Sequence, residues 1–318
     1  MSFDVNFDES KQNWDNFAVT SPHYSIFLNS KFLDSLNSPY KCITVYEDHK
    51  IAAGAVLFFD ESGHPRLNNM VYTQFQGMIL ADQGAAPAHS KYHWELEVIN
   101  FFIESLTARF KHFFLCQSWR FEDARAFLWH NYHSPDKGVF KCNLRYTGLL
   151  PLNELHSESA YLDAIRKLRK REYQKAQKAG YTIHESQDIQ LLNHLHNLTF
   201  ERQEITIGES EQKRLMSIAE AAISNRYGKI LVCRSAAGEV TNATLFLYDA
   251  RCGYYLIGAN DPNFRNSGSS TFLMIKNIFD CKEMGLEYVD FVGINSPNRG
   301  DFKISFNAVP KSYFELSI

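Results

Sequence analysis

Apolar positions recur along the 318-residue chain with two periods, and their alternation predicts a mixed α/β protein. Residues 25–36 read as a short helix. Runs of branched and aromatic residues at 40–46, 51–59 and 70–75 predict strands. Between 89 and 110, Trp94, Val98, Phe101 and Phe102 recur at helical spacing; 111–116 extends, 121–129 is helical and 139–150 extends again. One unit closes near Pro151. Beyond it the pattern predicts a basic helix over 159–179 and further helices over 187–203 and 212–226. A meander follows at 228–234, 240–248 and 253–258, with turns at AAGE and ARCG. The last predicted elements are a helix over 269–284, stopped by Gly285, and a strand over 286–292. No internal sequence repeat is visible, so the division into residues 1–150 and 151–318 rests on element order.

Composition narrows the class only a little. A hydrophobic content of 45% with 14% aromatics is ample for a folded core, and a net charge of −3 gives no global attraction to nucleic acid, so any anion site must be local. Six cysteines without a CxxC pair, and a start (MSFDVNFDES) without basic and apolar regions, point to the reducing cytoplasm. No apolar run approaches the roughly 18 residues that cross a bilayer, so no stable membrane insertion is expected.

Three stretches carry candidate chemistry. In GANDPNFRNSGSSTFLMIKNIFDCKEMGLEYVDF a strand ends, a turn of Arg265, Asn266, Ser267, Gly268, Ser269 and Ser270 follows, and a helix begins. Unpaired backbone N–H groups at a helix start, beside a glycine that permits close approach, suit a phosphate. The same turn also serves as a plain helix cap. In DFVGINSPNRGDFKISFNAVPKSYFELSI, Asp290 ends a strand where α/β sheets place ligands, and Lys303 sits between Phe302 and Phe306. Asp290 is either a general base or a carboxylate capping the next loop. Lys303 either aims its ammonium at an anion from a partly dry wall or snorkels on an edge strand. On the basic helix, Lys167, Arg171, Lys175 and Lys178 share a face that suits acceptor phosphates or a tRNA backbone, with Arg202 on the next helix, although solvated charge explains many such faces. The pairs His89/His93 and His130/His133 lack a third ligand at a recognisable spacing, so no metal is expected.

The turn Arg265-x-x-Gly268-x-Ser270 resembles the RxxGxG/A pyrophosphate loop of GNAT acyltransferases, with Ser270 in place of Gly or Ala. MGLEYVDFVGINSPNRGDFKISFNA is similar to the end of the FemAB-like, BioF2-type acyltransferases: a GxxxxDFxG strand, a polar loop and FKxxF. Asp290, Gly293, Phe302, Lys303 and Phe306 match, while Asn307 and Ala308 stand where that family usually has glycine. LRKREYQKAQKAGYTIHES resembles the family's basic helix leading to KAxxxG and a strand, and VYTQFQGMIL a QxxG strand ending near the substrate cleft. The resemblance implies two tandem GNAT-like units with the cleft where they meet. It assigns the donor to Arg265, Asn266, Ser267, Gly268, Ser269 and Ser270, the chemistry to Asp290 and Lys303, and the acceptor to Lys167, Arg171, Lys175, Arg202, Tyr72, Gln74, Tyr255 and Asn295.

The leading expectation is an N-acyltransferase that takes acyl-coenzyme A as co-substrate, holds no cofactor tightly, and acylates an amine on a small-molecule, lipid-linked or nucleotide-linked envelope precursor. An aminoacyl-tRNA donor, as in Fem-type peptidoglycan enzymes, is the alternative. A third is a non-catalytic nucleic-acid or anion binder using the basic helix at 165–179.

Overall fold

The computed structural model describes residues 2–318. Two compact units emerge, one running to Arg145 and taking in Ser312–Ile318, the other formed by Tyr146–Lys311.

The first unit comprises β1 (Phe3–Asn6), α1 (Lys11–Ala18), α2 (Ser30–Ser35), β2 (Tyr40–Glu47), β3 (Lys50–Phe58), β4 (Ile79–Leu80), α3 (Ala88–Arg109), β5 (Phe114–Cys116), α4 (Arg125–Trp129) and the start of β6 (Lys141–Pro151). β1, β2, β3 and β4 form an antiparallel sheet in that order. The β2–β3 hairpin closes through Asp48 (φ 46°) and His49 (φ 67°), two left-handed residues whose twist matches the strands they join. α3 buries Val98, Phe102 and Leu106 among Ile43, Val45, Ala53 and Leu57 of the sheet.

Residues 70–75, aromatic enough to predict a strand, form a knotted turn instead. Tyr72 (φ 67°) and Phe75 (φ 57°) are both left-handed, which breaks the pleat. Phe75 is buried edge-on to Phe27 and Tyr313, so packing of its ring overrides β propensity. The glycine of the QxxG stretch has a steric reason: a Cβ on Gly77 would lie 2.1 Å from Gln117 Oε1 and 2.6 Å from Gln117 Cα.

The second unit continues β6 and adds α5 (Glu158–Ala164), α6 (Lys167–Lys178), β7 (Thr182–Ser186), α7 (Ile189–Glu201), α8 (Glu209–Ser224), β8 (Gly228–Arg234), β9 (Val240–Tyr248), β10 (Cys252–Asn260), α9 (Ser269–Glu283), β11 (Tyr288–Asp290), α10 (Pro297–Ile304) and the start of β12 (Val309–Ser317). The strand order is β6-β11-β10-β9-β8-β7, antiparallel except for the β10–β11 pair. Met274, Ile275 and Ile278 of α9 pack among Phe246, Val289 and Phe291. The expected single basic helix is two, α5 and α6, because Ile165 (φ −75°, ψ 170°) is extended and buries its side chain.

The C-terminal stretch departs most from its pattern. Residues 297–304 are helical: Pro297 opens α10 at a position where a missing N–H costs nothing, and Phe302 and Phe306 turn inward one helical turn apart, 5.1 Å between ring centroids. Lys303 therefore lies on a helix and not on an edge strand. Asn307 is left-handed (φ 62°), a conformation that asparagine tolerates nearly as glycine does, which accounts for its standing where the FemAB-like pattern has glycine.

Replacing Gly77 by alanine drives a methyl group into backbone of β5's continuation. Gly77→Ala is expected to cost about 2 kcal/mol or more, read as a lower urea midpoint at unchanged slope.

Candidate active site

The site is built around the turn that ends β11. Asp290 is fully buried; one carboxylate oxygen accepts from the Thr147 hydroxyl and from the N–H of Val292 at 2.8 Å. That second bond pulls the chain out of the strand, and Val292 (φ 52°) and Gly293 (φ 71°) follow in left-handed conformation. For a β-branched residue this is a strained arrangement, costing on the order of 1–3 kcal/mol. Asn295 locks the loop by exchanging two hydrogen bonds with Tyr146, accepting its N–H at 2.8 Å and donating to its carbonyl at 3.0 Å.

Two consecutive left-handed residues turn their carbonyls to one side, and Lys303 fills the space they face. Its ammonium donates to Val292 O at 2.7 Å and Gly293 O at 2.8 Å and stands 5.5 Å from the centre of the Tyr255 ring. Burial pushes its pKa down to about 8; nearby Asp290 resists the shift and the charge of Arg299 adds to it. Neutral carbonyls hold the ammonium, so most of its charge remains to act on something else.

β10 supplies the opposite wall. A bulge between Tyr255 and Ile257 shifts its register against β9. β10 pairs with β11 only through Cys252, Gly253 and Tyr254, because β11 ends at Asp290 while β10 runs on to Asn260. From Tyr255 onward the edge of β10 that faced β11 has no strand beside it. Such an edge offers main-chain donors and acceptors to an extended, amide-bearing ligand. The Tyr255 ring folds over Gly258, where a Cβ would meet its oxygen at 1.6 Å, and burial raises its hydroxyl pKa to about 12.

α7 closes a third side through residues that no sequence pattern singled out. Thr199 Oγ1 accepts from Asn260 N–H at 2.8 Å. Phe200 follows Thr199, and His196 stands one turn before Phe200, their rings 4.9 Å apart. His196 is buried, and burial together with the Arg299 charge lowers its pKa to about 4, so it is a neutral imidazole across the physiological range. Arg299 lies over the Phe200 ring at 5.3 Å. The one available signal for Arg299 was its spacing, four residues before Lys303 and hence on the same face of any helix through both.

The proposed phosphate loop is more enclosed than its sequence suggests. Gly268 is left-handed (φ 88°), and Ser269 is buried with its N–H on Ser267 Oγ at 3.1 Å. α6 crosses at this point: a Cβ on Gly268 would lie 2.2 Å from the Glu172 carbonyl oxygen. Thr271, in the first turn of α9, donates to Glu172 Oε2 at 2.5 Å and accepts from Arg169 at 3.1 Å. Gly268 therefore serves the contact between α6 and α9. Ser270 Oγ donates to Asn260 Oδ1 at 2.5 Å, tying the helix start to the end of β10. Arg265 and Asn266 are exposed, and Lys175 of α6 donates to Asn266 O at 2.6 Å. Lys167 and Arg171 point to solvent along α6, and Arg202 is exposed just past α7. Tyr72 and Gln74 belong to the first unit, in the left-handed turn described above.

Residues 163–303 match the acetyltransferase (GNAT) domain family. Over nearly the whole chain the fold is similar to FemX (13% identity, TM-score 0.69, covering 99% of this chain and 97% of that one). It is also similar to L-PGS from Bacillus licheniformis (13%, 0.56, 98% and 93%). A tandem GNAT protein from the clavulanic acid biosynthesis pathway is a third (10%, 0.54, 99% and 98%). No curated protein sequence matches. The splayed β10–β11 pair followed by α9 is thus that of a GNAT domain, and the protein is an acyltransferase. Within that superfamily its fold is the FemAB-like one, two GNAT-like units in tandem.

Alanine at position 268 would have to adopt a left-handed backbone and displace backbone of α6. Gly268→Ala is expected to destabilise the fold by about 2–5 kcal/mol, measured by urea unfolding.

Proposed function

We propose that the protein transfers an acyl group from an acyl-coenzyme A to an amine of a sugar or peptide precursor of the cell envelope. The observation that carries this reading is the Lys303 ammonium, fixed by two carbonyls beside the unpaired edge of β10. GNAT domains use acyl-coenzyme A as co-substrate, and an extended pantetheine arm carries amides that suit that edge. The amine nitrogen attacks the thioester carbon, the carbonyl oxygen gains charge, and collapse of the tetrahedral adduct breaks the C–S bond. The thiolate departs and the proton shed by nitrogen ends on sulfur or water. Lys303 and main-chain N–H groups past the β10 bulge stabilise the oxyanion, a role in which fixed donors need no reorganisation. Asp290, buried and engaged with Thr147 and Val292, acts as a positioning residue for the turn that holds Lys303. Proton removal then falls to water or to an amine arriving unprotonated.

A second reading, aminoacyl-tRNA as donor, draws support from α6. Its Glu172 turn occupies the approach to Gly268 where a pyrophosphate would sit, and Lys167, Arg171, Lys175 and Lys178 line an exposed cationic face. The non-catalytic alternative falls with the acyltransferase domain. We place the protein in the cytoplasm, on the strength of six free cysteines, five of them buried. Among the described residues no helix is long and apolar enough to cross a membrane.

Thermal stabilisation separates the donors. Coenzyme A raising the melting temperature with little effect of salt supports the thioester; tRNA raising it, with the effect collapsing between 50 and 200 mM salt, roughly as counterion release demands, replaces it with the second reading. With the donor identified, Lys303→Met is expected to lower kcat about 100-fold or more with little change in KM. The wild-type rate should fall as pH rises through about 8, where Lys303 loses its proton, and Lys303→Arg should move that limb beyond the accessible range. Full turnover by Lys303→Met would remove the electrostatic role.

A further inference from the structure

α10 sends out a second cation that the acyl-transfer scheme leaves idle. Arg299 stands one helical turn before Lys303 on the same face, exposed to solvent, with its guanidinium on the Phe200 ring. Three arginines of the second unit meet a carboxylate, Arg166 with Asp301 at 2.7 Å, Arg169 with Glu172 at 2.6 Å and Arg251 with Glu287 at 3.0 Å; Arg299 differs from the exposed Arg171, Arg202 and Arg265 in standing one turn from Lys303 on the same helix. Among the described residues neither Arg299 nor Lys303 has a carboxylate within ion-pair distance. The uncompensated charge reaches three elements, acting on Lys303 of α10, His196 of α7 and Tyr255 of β10. Among the described residues the acidic group acting on Lys303 is Asp290, which is already engaged with Thr147 and Val292. Two like charges a turn apart repel, and an arrangement that keeps both unmatched is relieved by an incoming anion.

We propose that Arg299 receives a carboxylate or phosphate borne by the amine acceptor, about one helical turn (~6 Å along α10) from the oxyanion position at Lys303. The planar guanidinium takes such a group in bidentate fashion, and the Phe200 ring fixes its plane. The assignment rests on the reading of Lys303 as the reacting-centre cation, but it can be tested without knowing either substrate. The acceptor class it selects is amines with an anionic group close to the nucleophilic nitrogen, such as amino acids or amino-sugar phosphates. Amines without an anionic group are disfavoured.

The experiment is carbon-13 NMR of the reductively methylated full-length protein, with the Lys303 signal assigned by its loss in Lys303→Met. Inorganic phosphate and acetate are titrated separately, each against sodium chloride at matched ionic strength. Bound anion at Arg299 should raise the Lys303 pKa by half a unit or more in the wild type. Arg299→Gln should raise it without any anion and abolish the response, while Arg299→Lys should retain part of it. A stronger response to phosphate assigns a phosphorylated acceptor, and one to acetate a carboxylate. If neither anion moves the wild-type pKa beyond the chloride control, or Arg299→Gln responds equally, the proposal is overturned. Should Lys303→Met keep full turnover while the anion response persists, the anion site stands and the catalytic role of Lys303 falls instead.

Discussion

Everything at the site hangs on the turn between Asp290 and Asn295. Its two left-handed residues cost energy, and the surroundings offset that cost from four directions: Thr147 on β6 through Asp290, the Val292 N–H on the same carboxylate, the two hydrogen bonds of Asn295 with Tyr146, and Lys303 on both carbonyls. One turn thereby does two things. It ends β11 after three residues, which leaves the edge of β10 open, and it fixes an ammonium beside that edge. A longer β11 would pair with β10 past Tyr254 and remove the place where a ligand chain can lie. The strain at Val292 is therefore inseparable from the opening of the sheet.

The second constraint is the crossing of α6 over the start of α9. In an isolated helix start the first N–H groups invite an anion. Here the Glu172 turn reaches within contact of Gly268, and Thr271, Glu172 and Arg169 form a closed polar cluster at the same spot. The cationic side of α6 remains exposed and touches the loop through Lys175. Negative charge from a donor thus finds a lysine-rich helix flank more readily than a bare helix terminus, and whether that flank meets a coenzyme's phosphates or a polynucleotide is the point on which the two donor readings divide.

Much of this was legible in the sequence, for physical reasons. Long elements with strong periods, such as α3, α9 and the β8–β10 meander, fell where the apolar spacing put them, because burial of one face leaves little choice. Asp290, Lys303 and the turn before α9 were visible as residue types in recognisable order. The helix at 297–304 was not, since FKISF alternates like a strand; the helical signals, Pro297 at the first turn and a Phe302–Phe306 pair, are weaker than the alternation. Residues 70–75 failed because burial of the Phe75 ring, a tertiary effect, overrode the strand propensity of the stretch. β1 and α1 near the start went unread, as did β12, whose first half is exposed and polar. Arg299 and His196 were invisible for another reason: nothing local distinguishes an unmatched arginine from a matched one, or a buried histidine from an exposed one.

The charges also decide who can move protons. Lys303 and Arg299 make the site electropositive; the Arg299 charge adds to burial in keeping His196 neutral, whereas at Tyr255 it opposes burial, which raises the hydroxyl pKa to about 12. A neutral imidazole is a competent acceptor in principle, but protonating His196 would put a third positive charge beside Arg299 in a buried position, which its pKa of about 4 shows to be costly. Asp290, the carboxylate that acts on Lys303 among the described residues, is buried behind the turn it stabilises. The arrangement is thus suited to receiving negative charge and poorly suited to accepting a proton. On the proposed reading the enzyme gains rate by stabilising the oxyanion and leaves deprotonation to solvent, which calls for an amine nucleophile with an appreciable neutral fraction at the working pH. A nearby anionic group on that amine would seat it against Arg299 while leaving its nitrogen lone pair free to attack.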